Sequence, residues 1–271
     1  MKAVFPVETK YDYVVDIEVE DDHVFAVGHL LLHNTDSIFV RLNANGLDEA
    51  IDTGVYLENR INAFLRQRFQ TDVMTCKFEK IYRRVFFKRG ERGVGVKKRY
   101  AGWLVWKEGA YVDVVDIKGF EPKRSDTADY TREVMKRFFD ILLRKGRDDA
   151  LRFYRQCIEE FPKQPLWRIA IPKGVKFYSK QYKVENPWLR GSRWAMQHLG
   201  WRFREDQKPL LLYVRSTGGL PRTDVVCLPN PDYVLPDEVK VDMQKQLEKA
   251  FLQKFRDIIH SLQPTLDAWL R

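Results

Sequence analysis

The chain changes character at residue 35, and this change constrains its fold more than any other feature of the sequence. The first 34 residues hold two lysines against seven aspartates and glutamates, which gives them a net charge of −5. Because the whole chain has a net charge of +9, residues 35–271 have a net charge of +14. Apolar runs at 11–19 and 23–32 predict two short strands. Two strands do not make an independent fold, so we predict that residues 1–34 complete a sheet supplied by another, basic molecule.

Beyond residue 35 the pattern predicts an antiparallel sheet backed by one helix. Apolar residues recur at helical spacing over 47–69. Four β-rich runs predict the strands of this sheet: 35–42, 75–87, 97–106 and 111–117. The fold class expected from these patterns is α+β, with a short β segment, then a partial antiparallel sheet, then a mainly helical part.

Residues after Lys118 read as mostly helical. Ser125 or Asp126 is suited to begin a helix that runs to Lys145, before Gly146. The other elements predicted are helices at 147–161, 187–199 and 237–261 and strands at 166–171, 209–215 and 223–228.

Composition narrows the class of function. The longest apolar run is far shorter than the roughly 20 residues of a membrane span, and no signal-peptide pattern precedes the acidic segment, so we expect a cytoplasmic protein with no membrane contact. The three cysteines are widely spaced, which disfavours a disulfide framework or a zinc site. The +14 charge of residues 35–271 favours a polyanionic partner.

The junction His33-Asn34-Thr35 has the chemistry of a self-cleaving peptide bond. The Asn34 side-chain nitrogen can attack its own backbone carbonyl, which forms a succinimide and frees Thr35, if geometry and a proton donor are supplied. His33 and His23 can exchange protons near neutral pH. The Thr35 hydroxyl is a possible nucleophile that first receives an upstream chain as an ester. The alternative is a chance tripeptide in a loop.

The segment before Thr35 resembles the C-terminal part of an intein. The resemblance rests on an Asp-Ile-Glu-Val run at 16–19, His23 with its following Phe and Gly, a Leu-Leu-Leu run at 30–32, and His33-Asn34. It implies that His33 assists cyclisation of Asn34, that His23 activates the junction, and that Thr35 is the acceptor. The N-terminal nucleophile of an intein is absent. Because the chain opens with Met1, the resemblance implies a split intein that splices in trans, although a misplaced gene boundary would look the same.

Two carboxylates are candidates for a magnesium site. Nucleotidyl transfer uses two Mg²⁺ ions held by clustered carboxylates and phosphates. Asp36 begins a predicted strand, and Glu79 lies on another. The run Thr35-Asp36-Ser37 resembles the second half of Tyr-Gly-Asp-Thr-Asp-Ser, the palm motif of family B DNA polymerases. The intein-like segment interrupts that motif after its first Asp, which would then lie on another polypeptide.

Three further runs resemble that polymerase family in the expected order. Glu79 with Tyr-Arg-Arg resembles the palm strand with an acidic residue near the metals. The run 97–101 resembles the Lys-x-Tyr motif, and 116–126 resembles the Lys-Gly junction between palm and thumb. The resemblance implies that Lys98 reaches the minor groove and that Tyr100 binds a primer phosphate. It also implies that Lys118 and Arg124 contact the DNA backbone or brace the palm. Singly, each run is also typical of a solvated basic patch or a turn.

The resemblance implies three parts: 1–34 as a C-intein fragment, 35–120 as the C-terminal part of the palm, and 121–271 as the thumb. Its partners would be an N-terminal polymerase fragment carrying the N-intein, primer–template DNA and a dNTP, with two Mg²⁺ ions shared between the fragments. Unjoined, the chain would be inactive as a polymerase. The alternatives are a non-catalytic DNA-binding module with a decayed palm and thumb, and an autoprocessing element followed by an unrelated sequence. Thumb residues suited to grip DNA phosphates are Arg132, Lys136, Arg137, Arg144 and Lys145.

Overall fold

The structure, a computed structural model, describes residues 13–19, 24–27, 30–33, 37–70, 75–89, 95–120, 126–176 and 186–262. The chain divides into two compact units, Met1–Gly119 and Phe120–Arg271. Both combine helices with antiparallel strands, as the α+β prediction requires. None of the described helices has the length and apolar character needed to cross a membrane. The predicted boundaries at residues 34 and 120 stay predictions.

The first unit is built on a five-stranded antiparallel sheet. Its strands are β1 (Tyr13–Val19), β4 (Ser37–Leu42), β5 (Cys76–Arg89), β6 (Gly95–Lys107) and β7 (Ala110–Lys118). The order across the sheet is β4-β1-β5-β6-β7. The short strands β2 (Val24–Val27) and β3 (Leu30–His33) pair only with each other among the described elements.

Strand β1 corrects one prediction. It pairs antiparallel with β4, from Tyr13 opposite Leu42 to Glu18 opposite Ser37, and also with β5. The expectation that this segment completes a sheet of another molecule is therefore wrong for β1, whose partners belong to the same chain. The physical reason is that β4 and β5 each have an edge whose backbone N–H and C=O groups need hydrogen-bond partners. An apolar strand of the same chain supplies these partners as well as a strand of another molecule would.

Helix α1 (Leu47–Phe69) covers the sheet, as the sequence predicts. Ala50 and Leu65 on the helix share a core with Phe78, Ile81 and Trp106 on β5 and β6. The rings of Phe78 and Trp106 stack with centroids 4.5 Å apart. Just before the helix, Asn45 donates its backbone N–H to the Glu49 carboxylate at 2.8 Å and its side-chain amide to the same oxygen at 3.0 Å, which fixes the chain where it enters the first turn.

The second unit begins with two helices, α2 (Asp129–Arg144) and α3 (Arg147–Glu160), joined through Gly146 in the left-handed region at φ 105°. A 3₁₀ turn at Phe161–Lys163 and the short helix α4 (Leu166–Ile169) follow. The predicted strand at 166–171 is thus mostly helix, and only the two-residue strand β8 (Ile171–Pro172) remains of it.

The rest of the second unit mixes helices and strands. In chain order it has α5 (Pro187–Leu199), β9 (Leu210–Ser216), β10 (Val225–Leu228), β11 (Lys240–Val241), α6 (Met243–Leu247), a π-helical segment (Glu248–Leu252) and α7 (Gln253–Leu262). Strand β9 pairs with β8, β10 and β11. The predicted helix 237–261 begins six residues late because Lys240 and Val241 pair with β9 and the Asp242 side chain caps the helix, accepting from the Lys245 N–H.

Buried aromatic rings and one buried amide hold this unit together. Phe138, Phe161, Phe251 and Phe255 are fully buried and contact one another or Tyr154. The Gln246 side chain accepts from the Tyr213 N–H at 3.0 Å and donates to the Ile169 carbonyl at 2.7 Å. One side chain therefore ties α6 to both β9 and α4.

Candidate active site

The register of the first sheet brings two of the predicted DNA-binding residues together. Tyr100 on β6 lies opposite Phe87 on β5 and opposite Lys118 at the end of β7. Directly opposed residues of an antiparallel pair have Cβ atoms about 5 Å apart and share a face. The Lys-x-Tyr and Lys-Gly runs, distant in sequence, thus form one surface at this end of the ladder.

Asp116 organises this surface, and the sequence analysis assigned it no role. The buried Tyr82 hydroxyl donates to Asp116 Oδ2 at 3.1 Å, and Lys118 Nζ lies 3.7 Å from Asp116 Oδ1. Asp116 and Lys118 alternate on one strand, so both side chains stand on the same face. The Asp116 carboxylate is thereby held by the Tyr82 hydroxyl and lies close to the Lys118 ammonium, whose side chain is about half exposed. The sequence signal that could have identified Asp116 is its position two residues before Lys118 at the end of a predicted strand.

Three aromatic rings surround that of Tyr100. The ring of Phe39, three residues beyond Asp36, lies 5.1 Å from that of Tyr100 and 5.0 Å from that of Phe87. Tyr82 completes the cluster, with its ring 6.1 Å from that of Tyr100. A Cβ at Gly102 would lie 2.4 Å from the Tyr82 ring, so the missing side chain at Gly102 is what lets that ring lie over β6.

Glu79 lies elsewhere along the strands. Its backbone carbonyl accepts from the Glu108 N–H at 2.9 Å, at the turn between β6 and β7. That turn is the opposite end of the β6 ladder from Tyr100, about 20 Å along the strand. One Glu79 carboxylate oxygen accepts from Lys80 Nζ at 2.5 Å. The structure therefore does not bring Glu79 to the Tyr100–Lys118 surface. Ser37 of β4 shares a row of the sheet with Lys77, two residues before Glu79, and strand β1 lies between them.

The remaining predicted site residues cannot be assigned a geometry. His23, Asn34, Thr35, Asp36 and Arg124 lie outside the described residues. His33 ends β3 opposite Val24, and Lys98 lies on β6, but neither side chain is among those described.

The described acidic, histidine and cysteine side chains include no group of three or more placed to hold a metal ion. Carboxylate oxygens are the ligands that Mg²⁺ takes. Among the described residues, Glu79 is hydrogen-bonded to Lys80 and does not form a magnesium site by itself. A complete site would need carboxylates from outside the described part of the chain.

Most of the basic residues predicted to grip DNA on α2 are paired on their own helix. Arg132 donates to Asp129, and Arg144 donates to Asp140 at 2.8 Å. Arg137 lies 3.4 Å from the same Asp140. Pairs three or four residues apart on a helix are neighbours, so this face is closer to neutral than its arginine count indicates.

A basic cleft on the second unit was missed by the sequence analysis. It has a volume of about 560 Å³ and is lined by Arg190, Arg193, Trp194 and Arg222 with neighbouring polar residues. Arg190 is held by two hydrogen bonds to the Asp224 carboxylate, at 2.8 and 3.2 Å. Trp194 is buried, and its indole N–H donates to the Pro221 carbonyl at 2.8 Å.

The cysteines are buried free thiols, as the sequence predicts. Desolvation raises the pKa of Cys76 to about 12 and that of Cys227 to about 12. Burial also raises the pKa of the Cys157 thiol. Thiols with a raised pKa carry little thiolate near neutral pH and are therefore poor nucleophiles and metal ligands.

Comparison with known proteins gives the class first. The model of DNA polymerase family B matches residues 30–197, more than half of the chain, so this chain belongs to the family B DNA polymerases. The sequence-based recognition of this family is therefore confirmed, including its archaeal relatives.

The individual relatives are named DNA polymerases. One from Thermococcus litoralis is 26% identical over 275 residues, which cover 96% of this chain and 15% of the relative. DNA polymerase 2 of Aeropyrum pernix is 30% identical over 157 residues, 57% of this chain and 16% of the relative. The DNA polymerase of Acanthamoeba polyphaga mimivirus is 23% identical over 94% of this chain and 15% of its own length. The chain thus spans about a sixth or less of these relatives.

Proposed function

We propose that this chain is the C-terminal portion of a DNA-directed DNA polymerase, joined at Thr35 to an N-terminal polymerase fragment by trans-splicing of a split intein. The observation that carries the polymerase part is the family match over residues 30–197. Because the chain spans only about 15% of the first relatives, the rest of a polymerase has to come from another polypeptide or from a longer form of this one.

The alignment with the Thermococcus litoralis polymerase supports a connection between residues 1–34 and the polymerase sequence. It leaves 4% of this chain uncovered, which is about 11 of 271 residues and fewer than the 34 that precede Thr35. That relative therefore carries a segment similar to part of residues 1–34 beside its polymerase residues. An unrelated leader would not align in this way.

The joining reaction proposed for the junction balances bond by bond. The Thr35 hydroxyl attacks the ester or thioester that links the upstream polypeptide to the N-terminal side chain of the partner's N-intein, so that a new ester forms on Thr35 and the N-intein side chain leaves as its hydroxyl or thiol. The Asn34 side-chain nitrogen then attacks its own carbonyl, which breaks the bond to Thr35 and leaves a succinimide on residues 1–34. The freed Thr35 amine takes the acyl group from its own hydroxyl, so that an ester becomes an amide. His33 and His23 donate and accept the protons.

In the joined protein, Asp36 and Glu79 are the carboxylates that this chain contributes toward Mg²⁺, and the partner contributes the others. The bound ions would activate the primer 3′-hydroxyl and hold the triphosphate. The grouping of these two carboxylates is supported by one sheet that holds both β4, which begins directly after Asp36, and β5, which carries Glu79. Tyr100 and Lys118, opposed on β6 and β7, contact phosphates of the primer–template together with Arg124, and Lys98 reaches into the minor groove.

The test is to mix this chain with a polypeptide that carries the upstream polymerase sequence and the matching N-intein. Denaturing gels and mass spectrometry then show whether residues 1–34 leave and a larger product forms. Asn34→Ala should block release, whereas Asn43→Ala, at an exposed asparagine beyond the junction, should not. Unchanged release from the Asn34→Ala chain would exclude the splicing proposal.

Primer extension by the joined product separates the catalytic proposal from the decayed-module alternative. Asp36→Ala should leave ligation intact and abolish nucleotide addition, while Asp52→Ala, on the exposed side of α1, should change neither. A decayed module would bind primer–template and extend nothing, even without substitution. The relatives are named as polymerases, which favours the catalytic proposal.

A further inference from the structure

The Asp116 carboxylate is a fixed negative charge on a surface that is proposed to bind DNA. Its side chain is 17% exposed, and the buried Tyr82 hydroxyl donates to Oδ2 at 3.1 Å. The Tyr82 ring in turn packs closely over Gly102, where a Cβ would lie 2.4 Å away. Because like charges repel, a carboxylate held in this place weakens the attraction of the surface for a phosphate. Its presence beside Lys118 therefore calls for a functional explanation.

The Lys118 ammonium is attracted to Asp116 without being hydrogen-bonded to it. Its Nζ lies 3.7 Å from Oδ1, whereas a hydrogen bond between these groups would span about 2.7–3.2 Å. The Lys118 side chain is 46% exposed, and an ion pair in contact with water is weak. The ammonium can therefore leave Asp116 for a phosphate and return to it, while the carboxylate stays in place.

We propose that Asp116 is a positioning residue that competes with a primer–template phosphate for Lys118, and that it thereby limits how tightly the joined protein holds the duplex. This inference rests on the proposed function, in which Lys118 and the opposed Tyr100 contact phosphates. A polymerase has to break and remake its phosphate contacts each time the duplex advances. A Lys118 ammonium that releases one phosphate regains a negative partner in Asp116, so the contact breaks more readily than it would in water alone.

Asparagine at position 116 separates the charge of the side chain from its structural role. The Tyr82 hydroxyl needs only an acceptor, which an amide oxygen supplies as well as a carboxylate oxygen does. Asp116→Asn therefore keeps this hydrogen bond and removes the charge. The matched control is Asp113→Asn, which removes the same charge from the same strand. Asp113 is exposed, and its carboxylate accepts from the Trp103 indole N–H at 2.6 Å.

Fluorescence anisotropy of a labelled primer–template measures the competition. The joined protein is made as one polypeptide, with the upstream polymerase sequence fused directly to Thr35, so that the measurement does not depend on splicing. Asp116→Asn should lower the dissociation constant about two- to fivefold, the contribution of one exposed ion pair. Asp113→Asn should leave it nearly unchanged. In a Lys118→Met background, the gain from Asp116→Asn should be no more than about half as large, because no ammonium remains to be shared.

Steady-state primer extension gives a second readout. Asp116→Asn should lower the KM for primer–template and also lower kcat, because the extended duplex is released more slowly. Asp116→Glu restores the charge and should bring both constants back towards those of the original protein. Damage to the surface would instead raise the KM.

Unchanged or weaker binding by the Asp116→Asn protein would overturn the proposal, and so would a gain of the same size in the Lys118→Met background. A failure of the proposed function gives a different result. If Lys118→Met by itself leaves the dissociation constant unchanged, Lys118 makes no contact with DNA, and the role of Asp116 is refuted as well. If Lys118→Met weakens binding while Asp116→Asn does not strengthen it, Lys118 keeps its proposed contact and only the role of Asp116 is refuted.

Discussion

Replacement of Gln246 by leucine should destabilise the second unit by about 2–5 kcal/mol. The side chain is fully buried and makes two good hydrogen bonds, with the Tyr213 N–H at 3.0 Å and with the Ile169 carbonyl at 2.7 Å. Leucine fills a similar volume but leaves both backbone groups unpaired, at about 1–3 kcal/mol for each. The greater hydrophobicity of leucine offsets part of this loss, which sets the lower end of the range.

Urea unfolding of the full chain, followed by circular dichroism, measures this difference. The matched control is Gln244→Leu, the same change on the exposed side of the same helix, which should alter stability by less than about 0.5 kcal/mol. The midpoint for Gln246→Leu should fall while the slope stays the same, since only stability changes. Equal midpoints for the two variants would refute the reasoning that this amide ties α6 to β9 and α4.

Three further perturbations test the first unit, the thiols and the DNA-binding surface. Gly102→Ala should cost about 1–3 kcal/mol in urea unfolding, because its Cβ would lie 2.4 Å from the Tyr82 ring. The control Gly219→Ala, at an exposed glycine whose Cβ would meet nothing within 4 Å, should be nearly neutral, and equal costs would contradict the close approach. Burial raises the pKa of Cys227 to about 12, so the folded state keeps a proton that the unfolded state loses near pH 9. Stability should therefore be unaffected below pH 9 and fall by about 1.4 kcal/mol per unit as pH rises from 9 towards 12, and Cys227→Ala should reduce that slope in unfolding measured at several pH values. In the joined protein, Lys118→Ala should weaken primer–template binding and lower its salt dependence by about one unit of logarithmic slope, while Lys107→Ala, at the other end of the ladder, should not; identical slopes in fluorescence anisotropy titrations would remove Lys118 from the interface.

The spacing of apolar residues predicts a helix or strand well where that element packs one face against the core. Helix α1 has the bounds that its apolar spacing predicts, and the predicted strands 209–215 and 223–228 lie within a few residues of β9 and β10. The pattern fails where the outcome depends on a distant partner. Val15 and Ile17 read as strand, but nothing near them in the sequence shows that Ile81 and Phe78 would be their neighbours.

The candidate site divides in the same way. The opposition of Tyr100 and Lys118 follows from the register of β6 and β7, two strands on either side of one short turn. Their shared role in DNA binding stays a prediction. Asp116 gains its place only from the Tyr82 hydroxyl, 34 residues earlier in the chain. The Arg190–Arg222 cleft likewise requires α5 to pack beside β10, a contact that no spacing rule supplies.

The ion pairs between arginines and carboxylates of the second unit bear on how strongly the DNA binding proposed for the joined protein depends on salt. Besides those on α2, Arg152 is bonded to Asp149, Arg168 to Glu133 and Arg204 to Asp206. Each such carboxylate already neutralises an arginine charge that would otherwise neutralise a phosphate. As a result, fewer counterions are released when DNA binds. In the joined protein, DNA binding should therefore depend on ionic strength less steeply than the number of basic side chains indicates.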